Sequence, residues 1–175
     1  MSQQVSEYNL TAKVIHWLTA LTVVLMFAAG YWMVDLTYYS EWYKTAPHWH
    51  KSVGILLFMM TLFRLIWKLL TASPVIEGKT WEKSAAKIAH ALLYVLLFST
   101  FISGYLISTA DGRGIDIFNW FTLPSFGSLI ENQEVLAGTI HYYLTYSLIG
   151  LAFLHALAAL KHHFINKDNT LKKML

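Results

Sequence analysis

Cysteine does not occur in the chain of 175 residues, so disulfides, thiolate metal centres and thioether-linked cofactors are all excluded. Charge is scarce too. Asp, Glu, Lys and Arg together make up 13% of the residues, about half the share of an ordinary soluble domain. The apolar stretches are almost free of carboxylates, which makes them poor pathways for ions. There is no internal repeat of convincing length. No cleavage site of small residues follows the first apolar run, so a removable signal peptide is not expected.

Hydrophobic residues make up 56% of the chain. A protein this small cannot bury so much apolar surface in its own interior, so lipid must cover part of it. Four runs are long enough to cross a bilayer, at about residues 12–34, 48–70, 84–109 and 138–164. The expected fold is therefore an all-α membrane protein, a single domain over residues 1–175 built as a bundle of four transmembrane helices. Between the first two runs, Tyr38, Tyr39, Trp42 and Tyr43 stand where an interfacial aromatic belt would sit. Pro47 suits the first turn of the second helix, where its missing N–H costs nothing. Asp111-Gly112-Arg113-Gly114 is a strong turn signal. The aromatic piece Ile117 to Phe126 that follows is too short to span and is expected to lie on the membrane surface.

Lys and Arg are distributed unevenly. The leader, the second-to-third connection with its flanks, and the C-terminal tail hold Lys13, Arg64, Lys68, Lys79, Lys83, Lys87, Lys161, Lys167, Lys172 and Lys173. The opposite side has Lys44, Lys51 and Arg113. The positive-inside rule then puts both termini in the cytoplasm. The isoelectric point near 9.0 follows from this topology and calls for no nucleic-acid partner.

Histidine is the chemistry-bearing residue of the spans. On the fourth, His141, His155 and His162 fall on one helical stripe, because seven or fourteen residues bring an α-helix back to nearly the same direction. His50 and His141 enter their helices from the non-cytoplasmic side. His16 and His90 lie just inside the cytoplasmic ends of the first and third, at the depth of His155. Polar side chains inside a membrane face the bundle interior and find partners, and here the partners at matching depth are other histidines. Two imidazoles per site from facing helices suit a haem b, whose porphyrin fills apolar space between helices. Zinc or copper would call for more ligands crowded together, and no carboxylate or thiolate stands near His50 and His141. Glycines 30, 54, 104, 138 and 150 make room either for a flat ring or for close helix packing.

Other histidines read differently. His48 is expected to be solvated and His163 to snorkel to the interface. His162 as a ligand would separate the two metal sites by roughly 31 Å, the whole core thickness, so His155 is the expected ligand. His90 is open between a third-helix ligand, a quinone or propionate partner, and a hydrogen-bonded packing residue.

The motifs Ile15-His16-Trp17-Leu18, His50-Lys51-Ser52-Val53-Gly54-Ile55, and His155 through Lys161-His162-His163-Phe164 to Lys167-Asp168-Asn169-Thr170-Leu171 resemble the bacterial cytochrome b561 family over essentially the whole chain. The resemblance implies a multi-pass cytochrome of the bacterial inner membrane with two haem b groups. It implies His50 and His141 as axial ligands of the periplasm-side haem, and His16 and His155 of the cytoplasm-side haem. It also implies ubiquinone or another quinone as electron acceptor near the cytoplasm-side haem, with His90, His162 and Lys161 around it. Arg64 and Lys68 are placed to meet that haem's propionates. The expected activity is transmembrane electron transfer from an unidentified periplasmic donor to quinone. One branch of the family oxidises superoxide, but the acidic residues Asp35, Glu41, Asp111, Asp116, Glu131 and Glu134 outnumber the bases on that side, an unfavourable surface for an anion.

Two rival readings stand beside this one. In the first, the protein is the haem-bearing anchor of a larger dehydrogenase or hydrogenase-like complex, with Ile117 to Phe126 as docking surface. In the second, the histidines serve an ion transporter. A partner subunit or a homodimer is compatible with the first.

Overall fold

The computed structural model describes residues 5–175; residues 1–4, the start of the polar leader, lie outside the described residues. Four helices form its body: α1 Leu10–Met33, α2 Thr45–Leu70, α3 Thr80–Thr109 and α4 Gln133–Lys161. All four are long and apolar enough to cross a membrane. Their outward faces carry exposed Leu, Val, Ile and Phe throughout, as a small bundle solvated by lipid requires. The buried centre is correspondingly small, with Leu57, Leu97 and Leu148 as its membrane-level members.

The helices begin earlier than apolar periodicity predicts, because their first turns are polar. Asn9 caps α1 by accepting the Ala12 N–H at 2.9 Å. In α3 the carboxylate of Glu82 reaches back to the N–H of Lys79 at 2.8 Å, which moves the start from the expected position 84 to Thr80. At α4 the buried Gln133 accepts the N–H of Leu129 and donates to the carbonyl of Leu106. It ties the loop to α3 and adds a turn ahead of the expected start at 138. Pro47 lies in the first turn of α2, as expected.

An even number of crossings returns both termini to one face, and the chain closes that face on itself. Tyr8 N–H donates to Lys173 O at 3.1 Å, Trp17 Nε1 donates to Met174 O at 2.8 Å, and Lys173 pairs with Glu77 of the α2–α3 connection. We call this the terminal face and its opposite the loop face.

Among the described residues, the loop face holds the one departure from an all-helical arrangement. Residues expected to lie flat on the membrane form a small antiparallel hairpin, β1 Ile115–Ile117 and β2 Phe121–Leu123. Ile115 and Ile117 are buried, and the residues between them and β2 turn through Phe118 and Asn119, both at positive φ (47° and 60°). That is the mirror-image turn that suits the twist of a hairpin. Gly114 is required at its root, since a Cβ there would stand 2.6 Å from Leu123 O. Ser52 of α2, fully buried, pins the hairpin by accepting the Phe118 N–H at 3.1 Å and donating to Asp116 O at 3.3 Å. Trp120, Phe121 and Phe126 remain exposed, which agrees with a place at the membrane surface.

Candidate functional site

One spacing recurs on every helix. His16 and Gly30 on α1, His50 and Arg64 on α2, His90 and Gly104 on α3, and His141 and His155 on α4 are each fourteen residues apart. Fourteen residues nearly restore the direction of an α-helix and advance it about 21 Å. The bundle therefore presents two levels of four residues. Gly30, His50, Gly104 and His141 make the level nearer the loop face. His16, Arg64, His90 and His155 make the level nearer the terminal face.

Contacts agree with this grouping. In the loop-side level a Cβ on Gly30 would stand 3.3 Å from His50 Cε1, and one on Gly104 would stand 3.3 Å from His141 Cε1. Each histidine thus lies against a glycine of the neighbouring helix, at an approach few side chains would tolerate. The Nδ1 of His141 is 3.1 Å from Thr100 O and 3.0 Å from Ser103 Oγ. A proton on Nδ1 donated to the carbonyl leaves the Nε2 lone pair free, the arrangement a metal-binding imidazole ordinarily has. His50 Nδ1 is buried without a partner. Nothing stands within 4 Å of a Cβ at Gly138 or Gly150, and Gly54 meets only the end of Met26.

In the terminal-side level the ring centroids of His16 and His155 are 6.4 Å apart and their planes cross at 78°. A metal ion held by two imidazoles from opposite sides, at about 2 Å per bond, separates the centroids by roughly 6 Å. His90 is 5.1 Å from His155, closer than that geometry allows. Arg64 Nη2 is 2.8 Å from His16 Nδ1, and its guanidinium lies over the Tyr94 ring at 5.6 Å, with Lys68 over the same ring at 5.2 Å. A guanidinium only donates, so His16 Nδ1 lacks the carbonyl acceptor that His141 has.

The remaining histidines separate clearly. His162 starts a π-helical turn, His162–Asn166, where α4 ends, and its Nδ1 bonds Asp168 Oδ2 and Asn166 Nδ2 instead of extending the stripe. Gly78, at φ +101°, sits between this imidazole and Glu82. Lys161 pairs with Glu82 at 2.6 Å, so its charge is already matched. His163 is half-buried, with its Nδ1 buried and the ring packed edge-on against Phe164. His48, in the first turn of α2, is half-buried.

Outside the spans, the hydrogen bond from Lys173, with a second from the Asn169 N–H, holds the Glu77 carboxyl below the ordinary range. Burial pushes Asp168 upward, but its hydrogen bonds, the one with His162 foremost, outweigh that and leave it lowered. Arg113 is tied to Asp111 at 2.7 Å, which keeps that aspartate below the usual carboxylate value. Among the described residues there is no cluster of three or more His, Asp and Glu that could hold a bare metal ion. His16 and His155 face one another across the terminal-side level, and His50 and His141 each lie against a glycine at the loop-side level.

Sequence reasoning missed Gly30 and Gly104 as partners of particular histidines, and Ser103 and the Thr100 carbonyl as the support of His141. The fourteen-residue step, applied to all four helices, would have found the glycines.

A sequence profile described as prokaryotic cytochrome b561 matches residues 7–175. The chain is 45% identical over 170 residues to cytochrome b561 homolog 2 of Escherichia coli K12, covering 96% of this chain and 90% of that one. It is 29% identical over 174 residues to cytochrome b561 homolog 1 of the same organism, covering 97% of each. It is 31% identical over 178 residues to the probable superoxide oxidase CybB of Yersinia pestis, covering 92% and 91%.

Proposed function

The chain belongs to the prokaryotic cytochrome b561 family, and on that premise we propose that it carries electrons across the bacterial inner membrane through two haem b groups, from a periplasmic donor to a quinone. A multi-pass membrane location and an electron-transfer role with b-type haem come with the family itself. The observation that supports two haems is the pair of levels about 21 Å apart, one with histidines on two helices and the other with histidines on three. Haem b supplies a one-electron iron couple when bound.

The chain's own residues do the rest. His16 and His155, whose ring centroids are 6.4 Å apart, would hold the iron of the terminal-side haem. His50 and His141 would hold the iron of the loop-side haem, with Gly30 and Gly104 leaving each imidazole its place and the Thr100 carbonyl orienting His141. Arg64 and Lys68 offer cationic donors for the propionates of the terminal-side haem. The helices exclude water around both levels. The excess of Lys and Arg on the terminal face supports a cytoplasmic position for it.

Quinone reduction belongs at the terminal face. His90 contacts His155 but lacks the spacing of an opposing ligand, so its imidazole is available for hydrogen bonding there. His162, held by Asp168, turns the Cε1 edge of its ring to Gly78. A superoxide donor, suggested by the name of the Yersinia relative, would meet a loop face on which Arg113 is already paired with Asp111. That leaves Lys44 and Lys51 as the basic attraction for an anion and favours a different donor. The rival in which the chain anchors a larger dehydrogenase draws on the exposed Trp120 and Phe126 of the loop face. Co-purification of a soluble subunit from the native membrane would favour it.

The test is haem quantified per chain in single and double variants. His16→Ala and His50→Ala are each expected to keep one haem, and the double variant none. Loss of both haems from either single change would contradict separate sites.

A further inference from the structure

The chain does not end where α4 ends. After the π-helical turn His162–Asn166, Lys167 takes a left-handed backbone conformation, φ 57°, which few residues other than glycine adopt without cost. Asp168–Leu175 then runs over the terminal face as a strap. It starts at α4, where Asp168 bonds the His162 side chain and donates its N–H to the His162 carbonyl at 3.2 Å. It crosses the α2–α3 connection, where the Asn169 N–H donates to Glu77 Oε2 at 3.2 Å and Lys173 Nζ donates to Val75 O at 2.8 Å. It finishes on the leader and α1, with the Lys173 carbonyl on Tyr8 and the Met174 carbonyl on Trp17. Trp17 adjoins His16, so the strap passes from the helix of His155 to the helix of His16.

The strap is built to move. Its fastenings are polar contacts at the protein surface, each of small net strength in water, and none of its residues is fully buried. No packed core lies beneath it. A cavity of about 490 Å³ is bounded there by Ser6 and Glu7 of the leader, Val75 and Glu77 of the connection, and Asn169 and Lys172 of the strap. A segment with few buried apolar contacts opens locally at a fraction of the cost of unfolding the whole domain. Lys167 gives that opening a hinge, since leaving the left-handed region relieves strain. One fastening also belongs to the acceptor side of the protein. Asp168 holds the His162 imidazole, so closing the strap and fixing His162 are one event.

We propose that Asp168–Leu175 is a lid over the terminal-side level, which opens to admit a quinone head group and closes to fix His162 beside it. The proposal rests on the quinone reading above and assigns a regulation to that same site. Closed, the strap bars approach from the terminal face while Asp168 orients His162. Open, it releases His162 and uncovers the terminal end of the space between α1 and α4. Its motion sets how fast quinone enters and quinol leaves, and it leaves His16 and His155 undisturbed deeper in the bundle. The strap rests closed at neutral pH and opens transiently.

Two measurements test this, and the first needs no quinone. In hydrogen exchange of the haem-loaded protein, the amides of Tyr8 and Asn169, which are bonded across the strap's two edges, should exchange together and at least about tenfold faster than the interior of α4. Exchange as slow as that of α4 would mean that the strap opens only with the whole bundle, and would overturn the lid. The second measurement holds the lid shut. In Glu77→Cys/Lys173→Cys, the two thiols of an otherwise cysteine-free chain are joined by a short bismaleimide. Protein reduced beforehand with stoichiometric dithionite is mixed with decylubiquinone, and haem reoxidation is followed by absorbance. The unjoined variant should react at least as fast as wild type and the joined one about tenfold slower or more, with unchanged haem content. Equal rates with and without the bridge, or an unjoined variant as slow as the joined one, would overturn the inference. Wild type that decylubiquinone does not reoxidise would overturn the quinone reading and this inference with it, and the exchange result distinguishes that failure from a strap that does not move. Should the double variant fail to fold, exchange in the unaltered protein still decides whether the strap opens.

Discussion

Gly104 offers a sharp perturbation, because its two possible roles predict opposite outcomes. A Cβ there would stand 3.3 Å from His141 Cε1 and 3.6 Å from Nδ1, so in Gly104→Ala the ring must give way by a few tenths of an ångström. His141 Nδ1 has acceptors at 3.1 and 3.0 Å, and that retreat weakens them. A neutral hydrogen bond contributes about 1 kcal/mol. Replacing a mid-helix glycine by alanine returns about 1 kcal/mol through lower chain entropy. The fold should therefore be nearly indifferent to Gly104→Ala, while occupancy of the loop-side level falls. Gly104→Leu places four further carbon atoms against the imidazole and should abolish that occupancy. The assay is haem per chain by pyridine haemochrome, with thermal unfolding in detergent alongside. Gly104→Leu is expected to keep one haem, with the spectrum of the terminal-side level unchanged. Gly150→Ala is the control: it lies in open space and should keep both haems. Two haems in Gly104→Leu would refute the assignment of this glycine to His141 and return it to ordinary helix packing.

Ser52→Ala removes the hydroxyl that holds the hairpin and should destabilise it locally by about 1–3 kcal/mol. Amide exchange at Phe118 should then accelerate by about fivefold to a hundredfold, and an unchanged rate would show that Ile115 and Ile117 alone hold the hairpin. At the terminal face, Glu77 and Asp168 have carboxyls lowered by their partners. A lowered folded-state value means stability that is present above the unfolded carboxylate range, about pH 4, and lost as pH falls through the lower folded value. The tail should thus detach only in that acid window and stay docked at neutral pH, as read by protease cleavage after Lys167 or Lys172. His90→Ala should leave both haems in place and slow quinone reduction; loss of a haem would make His90 a ligand.

The spans were legible because lipid imposes length and apolarity, and the histidine stripe of α4 because imidazoles inside a membrane are conspicuous. The same step on α1 and α3 was not. Gly30 and Gly104 carry no chemistry of their own, and their meaning lies in the distance of a Cβ they do not have from a ring on another helix. Helix starts were misjudged where the first turn is closed by Glu82 or Gln133, polar residues that apolar periodicity discards. The hairpin escaped because strands of three residues give no alternation to read, and Ser52, its anchor, is more than sixty residues away in sequence. His163 falls where α4 passes into a π-turn at His162, a change of winding that the residue types do not announce.

The central claim is that two levels of facing histidines hold two b-type haems. The most direct measurement is the absorbance spectrum of the detergent-purified protein, air-oxidised and then dithionite-reduced, with haem quantified per polypeptide. Two haems per chain with a sharp reduced band are expected. One haem would mean that one level is misread, and none, in protein produced with ample haem, would contradict the cytochrome reading altogether.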